Sequence, residues 1–255
     1  MLLSIVIPAY NEVEILPNTI ANIQKALVNS AWSDQSWEII LCDNNSTDGT
    51  QQIAQQLGVQ EVWEAEQQIS KARNTGAQQA KGKWLLFIDA DTYPSPALMN
   101  DLWNTIDTGS FLGIGTTIKV EGGSKWNQLR MERLNPLMRW LNWCGGAFIL
   151  CEKKAFEEIG GFSTDLYALE EIEFIIRLRR YVRKVGKKFT VLHRHPAITS
   201  GRKGENNLRA FYRAAASTTL SICWLLLFLL LPKSLRIKGN PKHLGFWYNQ
   251  RKTEK

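Results

Sequence analysis

Aspartate runs out early in this chain: none follows Asp165, and from residue 177 onward only two acidic residues stand against 19 Lys and Arg. Residues 1 to 176 have the opposite balance, 22 acids against 12 bases, so the formal +7 is −10 in the larger part and +17 in the tail. Cysteine is also scarce. Cys42, Cys144, Cys151 and Cys223 are widely spaced, form no CxxC and sit among apolar neighbours. That usage excludes a disulfide framework and suits buried, reduced thiols in a cytosolic protein.

Other absences narrow the function. No motif for binding RNA or DNA appears, and the larger part is acidic, so nucleic acid is not an expected partner. After the first apolar run stands PAYNE, not a glycine-rich phosphate loop, which argues against a nucleotidyltransferase. The opening MLLSIVIPAYNE has no basic leader, and Pro8, Asn11 and Glu12 interrupt its short apolar run. It reads as a first strand, not a signal peptide.

What is present is enough apolar sequence, 44% over 255 residues, for one large domain with an appendage. The boundary is placed at 205/206. Within the appendage, Ala214 to Leu231 is uncharged for 18 residues, near the lower limit for a spanning helix, and Leu225 to Leu231 has no polar stripe. The expectation is an apolar helix over 214–231 in contact with a membrane, crossing it or lying in its plane. Lys233, Arg236, Lys238 and Lys242 follow it, as expected beside anionic headgroups on the cytoplasmic face.

Along residues 1–91 strands and helices alternate: LSIVIPAY, a helix over Val13 to Val28, WEIILCDN, a helix capped at Ser46/Thr47 and closed by Gly58, EVWEAE, ISKARNTGAQQAKG, and KWLLFIDAD. That rhythm predicts an α/β fold with a mostly parallel sheet flanked by helices. Ligands of such sheets sit outside the carboxyl ends of the strands. Pro8 to Glu12, Asp43-Asn44-Asn45 and Asp89-Ala90-Asp91 all fall there, and clustered acids at one rim need a cation or a set of donors to neutralise them.

DADT after four apolar residues fits two chemistries, an aspartyl phosphatase nucleophile or the metal clamp of a sugar transferase. A phosphatase needs its pair on the first strand and a later acidic pair. Here the pair ends the fourth strand and aspartate is absent after Asp165, which leaves the clamp. In order and spacing, SIVIPAYNE, CDNNSTDGT, KARNTG, GKWLLFIDADT, GGAFILCEKKAFEEIGGF and LEEIEFIIRLRRYVRKVGKK together resemble family 2 glycosyltransferases over about residues 3 to 188.

The resemblance implies a GT-A-like fold, a nucleotide-sugar donor, a divalent metal (Mg²⁺ or Mn²⁺) and inverting transfer to an acceptor hydroxyl. It assigns Asp91 to the metal and Asp89 to the metal or donor ribose, and Glu171 of the Glu170-Glu171 pair to the general base, where the family usually has Asp. Pro8, Tyr10, Glu12, Asp43 and Asn44 fall on its donor side. Asn44 stands in place of a second aspartate and Asn45 in place of a glycine whose left-handed backbone Asn tolerates. UDP is the first expectation for the nucleotide.

Arg73 is read as a donor ligand or as a partner of the nearby acids. Cys144 to Ala147 resembles the loop where donor sugar and acceptor meet. His193 is a candidate metal ligand, with His195 on the same strand face by alternation. Arg202 and Lys203 suit the diphosphate. Lys125 to Trp143 reads as a helix broken at Pro136, packed in the core or facing acceptor or membrane. A non-catalytic sugar-nucleotide or membrane-binding module with this fold is the alternative.

Overall fold

The computed structural model describes residues 2–201 except Ser124 and Ala168. Arg202, Lys203, Cys223, the 205/206 boundary and the 214–231 segment lie outside them. Among the described residues no helix is long and apolar enough to cross a membrane.

The first half is built as the alternation predicts. Strands β1 (Leu3–Ala9), β2 (Trp37–Asp43), β3 (Gln60–Trp63) and β4 (Trp84–Ile88) alternate with helices α1 (Leu16–Val28), α2 (Thr50–Gln56) and α3 (Ile69–Gln79). The strands lie in the order β3-β2-β1-β4, all parallel. Side chains of β1 alternate between two cores, Leu3, Ile5 and Ile7 facing α1 and Val6 facing the opposite layer, so a continuous apolar run is buried on both faces. Helix α2 starts later than expected, at Thr50 with Gly49 as its cap, because Ser46 and Thr47 are used elsewhere.

The second half comprises β5 (Thr92–Tyr93), α4 (Pro96–Asp107), β6 (Phe111–Glu121), α5 (Lys125–Leu141), β7 (Phe148–Glu152), α6 (Lys153–Glu158), α7 (Glu170–Lys184) and β8 (Lys188–Ser200). It extends the sheet as β4-β7-β6-β8-β5, with β7 antiparallel to both neighbours, β6 and β8 parallel, and β5 antiparallel to β8. Ile88 and Thr92 are joined by a chain that reaches about 14 Å at most, whereas four strand spacings across a flat sheet need about 19 Å. The sheet therefore curls, bringing its last strand back beside the end of β4.

Two features open a crevice at the rim. The β1 ladder with β2 runs to Ala9 and Asp43, but its ladder with β4 stops at Val6 and Phe87. Pro8, which has no N–H to donate, lies just beyond that stop. Strands β1 and β4 thus part at the point where the strand order reverses. Helix α5 runs through Pro136 without breaking. Next to it, Asn135 donates through Nδ2 to the Ile118 carbonyl (2.8 Å) and accepts from the Ile118 N–H (3.3 Å), tying the middle of the helix to β6.

Candidate active site

The loop after β1 is clasped to the loop after β2. Asn11, at φ 53, receives Thr47 N–H on Oδ1 (2.8 Å) and donates its own N–H to Ser46 Oγ (2.9 Å); Glu12 N–H donates to Thr50 Oγ1 (2.9 Å). Pro8 is buried within β1, Tyr10 is half-buried at its end, and Glu12 and Asp43 are buried beside the crevice. Asn44 Nδ2 donates to the Glu66 carbonyl at 2.5 Å and more weakly to that of Glu64 at 3.5 Å, leaving the amide oxygen as the end it can offer a ligand. Asn45 has φ 62, the left-handed conformation for which the sequence substitutes Asn for Gly.

At the end of β4 every peptide of Asp89-Ala90-Asp91 is held. Asp89 N–H donates to the Ala147 carbonyl (3.2 Å), the Ala90 carbonyl accepts from Thr19 Oγ1 of α1 (2.8 Å), and the Asp91 carbonyl accepts from Ser200 N–H (3.0 Å). Asp91 Oδ1 lies near the hydroxyls of Thr92 (3.3 Å) and Thr199 (3.5 Å), themselves 3.0 Å apart. Thr199 was invisible in the sequence as a site residue, since only the curl of the sheet brings β8 there.

Arg73, 2% exposed, occupies the floor. Its Nη1 donates to Glu170 Oε1 at 2.9 Å, and its Nη2 to Asp89 Oδ1 at 3.0 Å and to the Gly146 carbonyl at 3.2 Å. The Phe162 ring lies 5.1 Å beneath the guanidinium. Burial opposes the charge of Arg73, but Asp89, Glu170 and Glu171 outweigh it and hold the group above its ordinary value. The pairing of Arg73 with nearby acids is thus present, to Asp89 and Glu170. Its neighbour Asn74 clamps the chain around Phe162, donating to its carbonyl and accepting its N–H at 2.9 Å each.

Helix α7 begins with Glu170, Glu171 and Glu173 in its first turn, where the helix dipole favours acids. Each has a different environment. Glu173 is a structural group, held bidentately by Arg177 at 2.6 Å per contact. Glu170 is buried against Arg73. Glu171 is half-buried, and burial together with the charge of Glu170 raises its carboxyl well above the usual range, against the pull of Arg73.

Gly146 lets the 144–147 loop close over this floor: a Cβ there would lie 3.0 Å from Arg73 Nη2 and 3.2 Å from Glu171 Cβ. The three described cysteines are free and buried, and burial pushes Cys42 and Cys144 up to about 12.

The expected pairing of His193 with His195 on one face does not occur. Leu192 pairs with Thr116 and Ala197 with Ile118, so four β8 residues bulge opposite Thr117 and the two-residue period is lost. His195 Nδ1 meets Asp101 Oδ2 of α4 at 2.8 Å, while His193 lines a groove of about 790 Å³ with Glu121, Glu132 and Trp140. Among the described residues no three His, Cys, Asp or Glu gather as a ready metal cage. The rim nevertheless offers donors of the kind a hard cation takes: Asp89, Glu170 and Glu171 surround a single guanidinium, Asp91 follows two residues after Asp89, and carboxylate oxygens match Mg²⁺ or Mn²⁺.

A model of glycosyl transferase family 2 matches residues 4–164, more than half of the chain. The chain belongs to that family. Among curated relatives, a glycosyltransferase, AglE, of Haloferax volcanii is 35% identical over 130 residues, covering 48% of this chain and 38% of that protein. A dolichol-phosphate mannosyltransferase of Pyrococcus furiosus is 31% identical over 132 residues, covering 50% and 36%. The chain thus spans well under two thirds of the length of these two relatives. The GT-A-like fold is shared with S. aureus TarS 1-349 in complex with UDP-GlcNAc, at TM-score 0.61 and 19% identity over 81% of this chain and 60% of that one. It is shared equally with a Pyrobaculum calidifontis mannosyltransferase in complex with GDP-Man and Mn²⁺, at TM-score 0.61 and 17% identity over 82% and 59%.

Proposed function

We propose that this family 2 member transfers a sugar from a nucleotide-diphosphate donor to an acceptor hydroxyl with inversion at the anomeric carbon. The observation that carries the reading is the convergence on Arg73 of the strand-end acid Asp89 and the helix-start acid Glu170, which sets the neighbouring Glu171 at the same crevice.

In this reading the acceptor oxygen attacks the anomeric carbon from the side opposite the diphosphate. The new C–O bond forms as the bond to the phosphate oxygen breaks, and the acceptor proton passes to Glu171. A single displacement of this kind inverts the configuration. A carboxyl raised to about 8 holds that proton firmly once its ionised form has taken it. Asp91 and Asp89 would hold the divalent metal, which when bound offsets charge on the departing diphosphate.

Asp43 and the Asn44 oxygen, buried between β1 and β3, offer acceptors to a base, and a uridine donor is the first to try. Arg202, outside the described residues, keeps the diphosphate role read from its sequence. The 214–231 run and the basic tail support a location at the cytoplasmic face of a membrane, with a lipid or surface polysaccharide as acceptor.

The test is turnover of a panel of nucleotide sugars with Mg²⁺ or Mn²⁺. Asp91→Ala is expected to abolish turnover and weaken metal-dependent nucleotide binding, and Glu171→Gln to abolish turnover with binding kept. Turnover surviving both changes would refute the mechanism. Binding without turnover in the unaltered chain would instead identify a non-catalytic nucleotide-sugar module.

A further inference from the structure

Arg73 is placed too deep to serve the donor. It is 2% exposed, its three described hydrogen bonds end on protein oxygens, and the Phe162 ring closes it from below. Its Nε, also buried, has no hydrogen-bond partner among the described residues. A group that bound substrate would keep part of its donor fork toward the crevice; this one spends both terminal nitrogens on the scaffold.

The three acceptors belong to separate pieces of chain. Asp89 ends β4, Gly146 lies in the loop before β7, and Glu170 opens α7, respectively 16, 73 and 97 residues from Arg73. Between them they carry the acid assigned to the metal, the loop over the site, and the turn that presents Glu171.

We propose that Arg73 is a positioning residue, a rigid fork that fixes the donor-side carboxylate Asp89 relative to the base-bearing turn of α7. It does not touch the donor. This rests on the transferase reading above and adds to it a mechanical link between the leaving-group side and the base side. The planar guanidinium is required because two acids must be held at once by nitrogens in a fixed geometry, which an ammonium on a flexible stem does not provide. Gly146 is the matching adaptation in the loop, since a side chain there would press on both Arg73 and Glu171.

The decisive experiment is a pair of double-mutant cycles on the full chain. Arg73→Met and Arg73→Lys are each combined with Asp89→Asn and with Glu170→Gln. Mn²⁺-dependent affinity for UDP and GDP is read by calorimetry, kcat with the best donor, and foldedness by thermal melting.

If Arg73 acts through these acids, the losses are non-additive. Asp89→Asn should weaken nucleotide binding about tenfold in the wild-type background and less than about threefold on top of Arg73→Met. Arg73→Met should lower kcat by about 100-fold, the scale of a small misplacement of a reacting group, with Glu170→Gln adding little to it. Arg73→Lys should stay folded and show the same coupling. It carries the cycles should the methionine variant melt below assay temperature.

Multiplicative losses in a wild type that binds nucleotide would overturn the bridge and return Arg73 to the donor. So would full recovery of affinity and kcat in Arg73→Lys. A wild type that binds neither nucleotide with Mn²⁺ overturns the transferase reading and the bridge with it.

Discussion

Glu171 can take a proton only when its carboxyl is ionised, and its burial, with the charge of Glu170 beside it, makes that harder than for an ordinary glutamate. Turnover should therefore rise with pH on an acid limb that lies above the usual carboxylate range, read as kcat/KM across a pH series. The same shift makes a stability prediction of definite sign. The folded state holds this proton more tightly than the unfolded chain, so ionisation costs stability. The cost is absent below the ordinary Glu value of about 4.3 and is complete above the raised folded value. Glu171→Gln should melt higher than wild type in alkaline buffer and lose that advantage in acid. Asn45 offers a second check at this scale. At φ 62 it sits where a branched side chain is penalised, so Asn45→Val should cost about 1–2 kcal/mol in denaturant unfolding, whereas Asn45→Gly should be close to neutral.

Among the elements, α3 and α7 do most to assemble the site. Helix α3 was legible from KARNTG, but the work of each residue was not. Arg73 bridges acids, Asn74 grips Phe162, and Thr75 Oγ1 donates to Glu64 Oε2 at 2.6 Å, contacts between separate elements that periodicity within the helix cannot report. Helix α7 docks through a cluster of rings. Phe174 stacks on Phe162 at 4.1 Å and lies edge-on to Phe87 of β4 at 6.4 Å. Phe174→Ala should destabilise the fold by about 3–5 kcal/mol in urea or guanidinium titration, a typical cost of truncating a buried aromatic. Strand β8 shows where reading by alternation failed. The period of two placed His193 and His195 together, but the ladder with β6 absorbs four residues against one, and the histidines go to different neighbours.

For the whole molecule, the prediction is linkage between donor, metal and stability. The cognate nucleotide sugar with Mn²⁺ should raise the melting temperature by mass action, by about 2.7 kcal/mol of added stability at 100 times Kd, and a chelator should remove the increment. The uneven charge has its own test. The full chain, with +17 beyond residue 176, should cosediment with anionic vesicles and be partly released by salt, with the salt-resistant fraction reporting apolar insertion.

At this scale the division of labour is plain. By itself the sequence specified the alternating strands and helices of the first half, the acids at the carboxyl ends of its strands and the left-handed turn at Asn45. Local periodicity, turn chemistry and the polarity of strand ends are written in neighbouring residues. The tertiary structure alone decided that β7 enters antiparallel, that the sheet curls to bring Thr199 to Asp91, and that Arg73 faces inward. Those outcomes depend on contacts between residues dozens of positions apart, and on three acids competing for one buried cation.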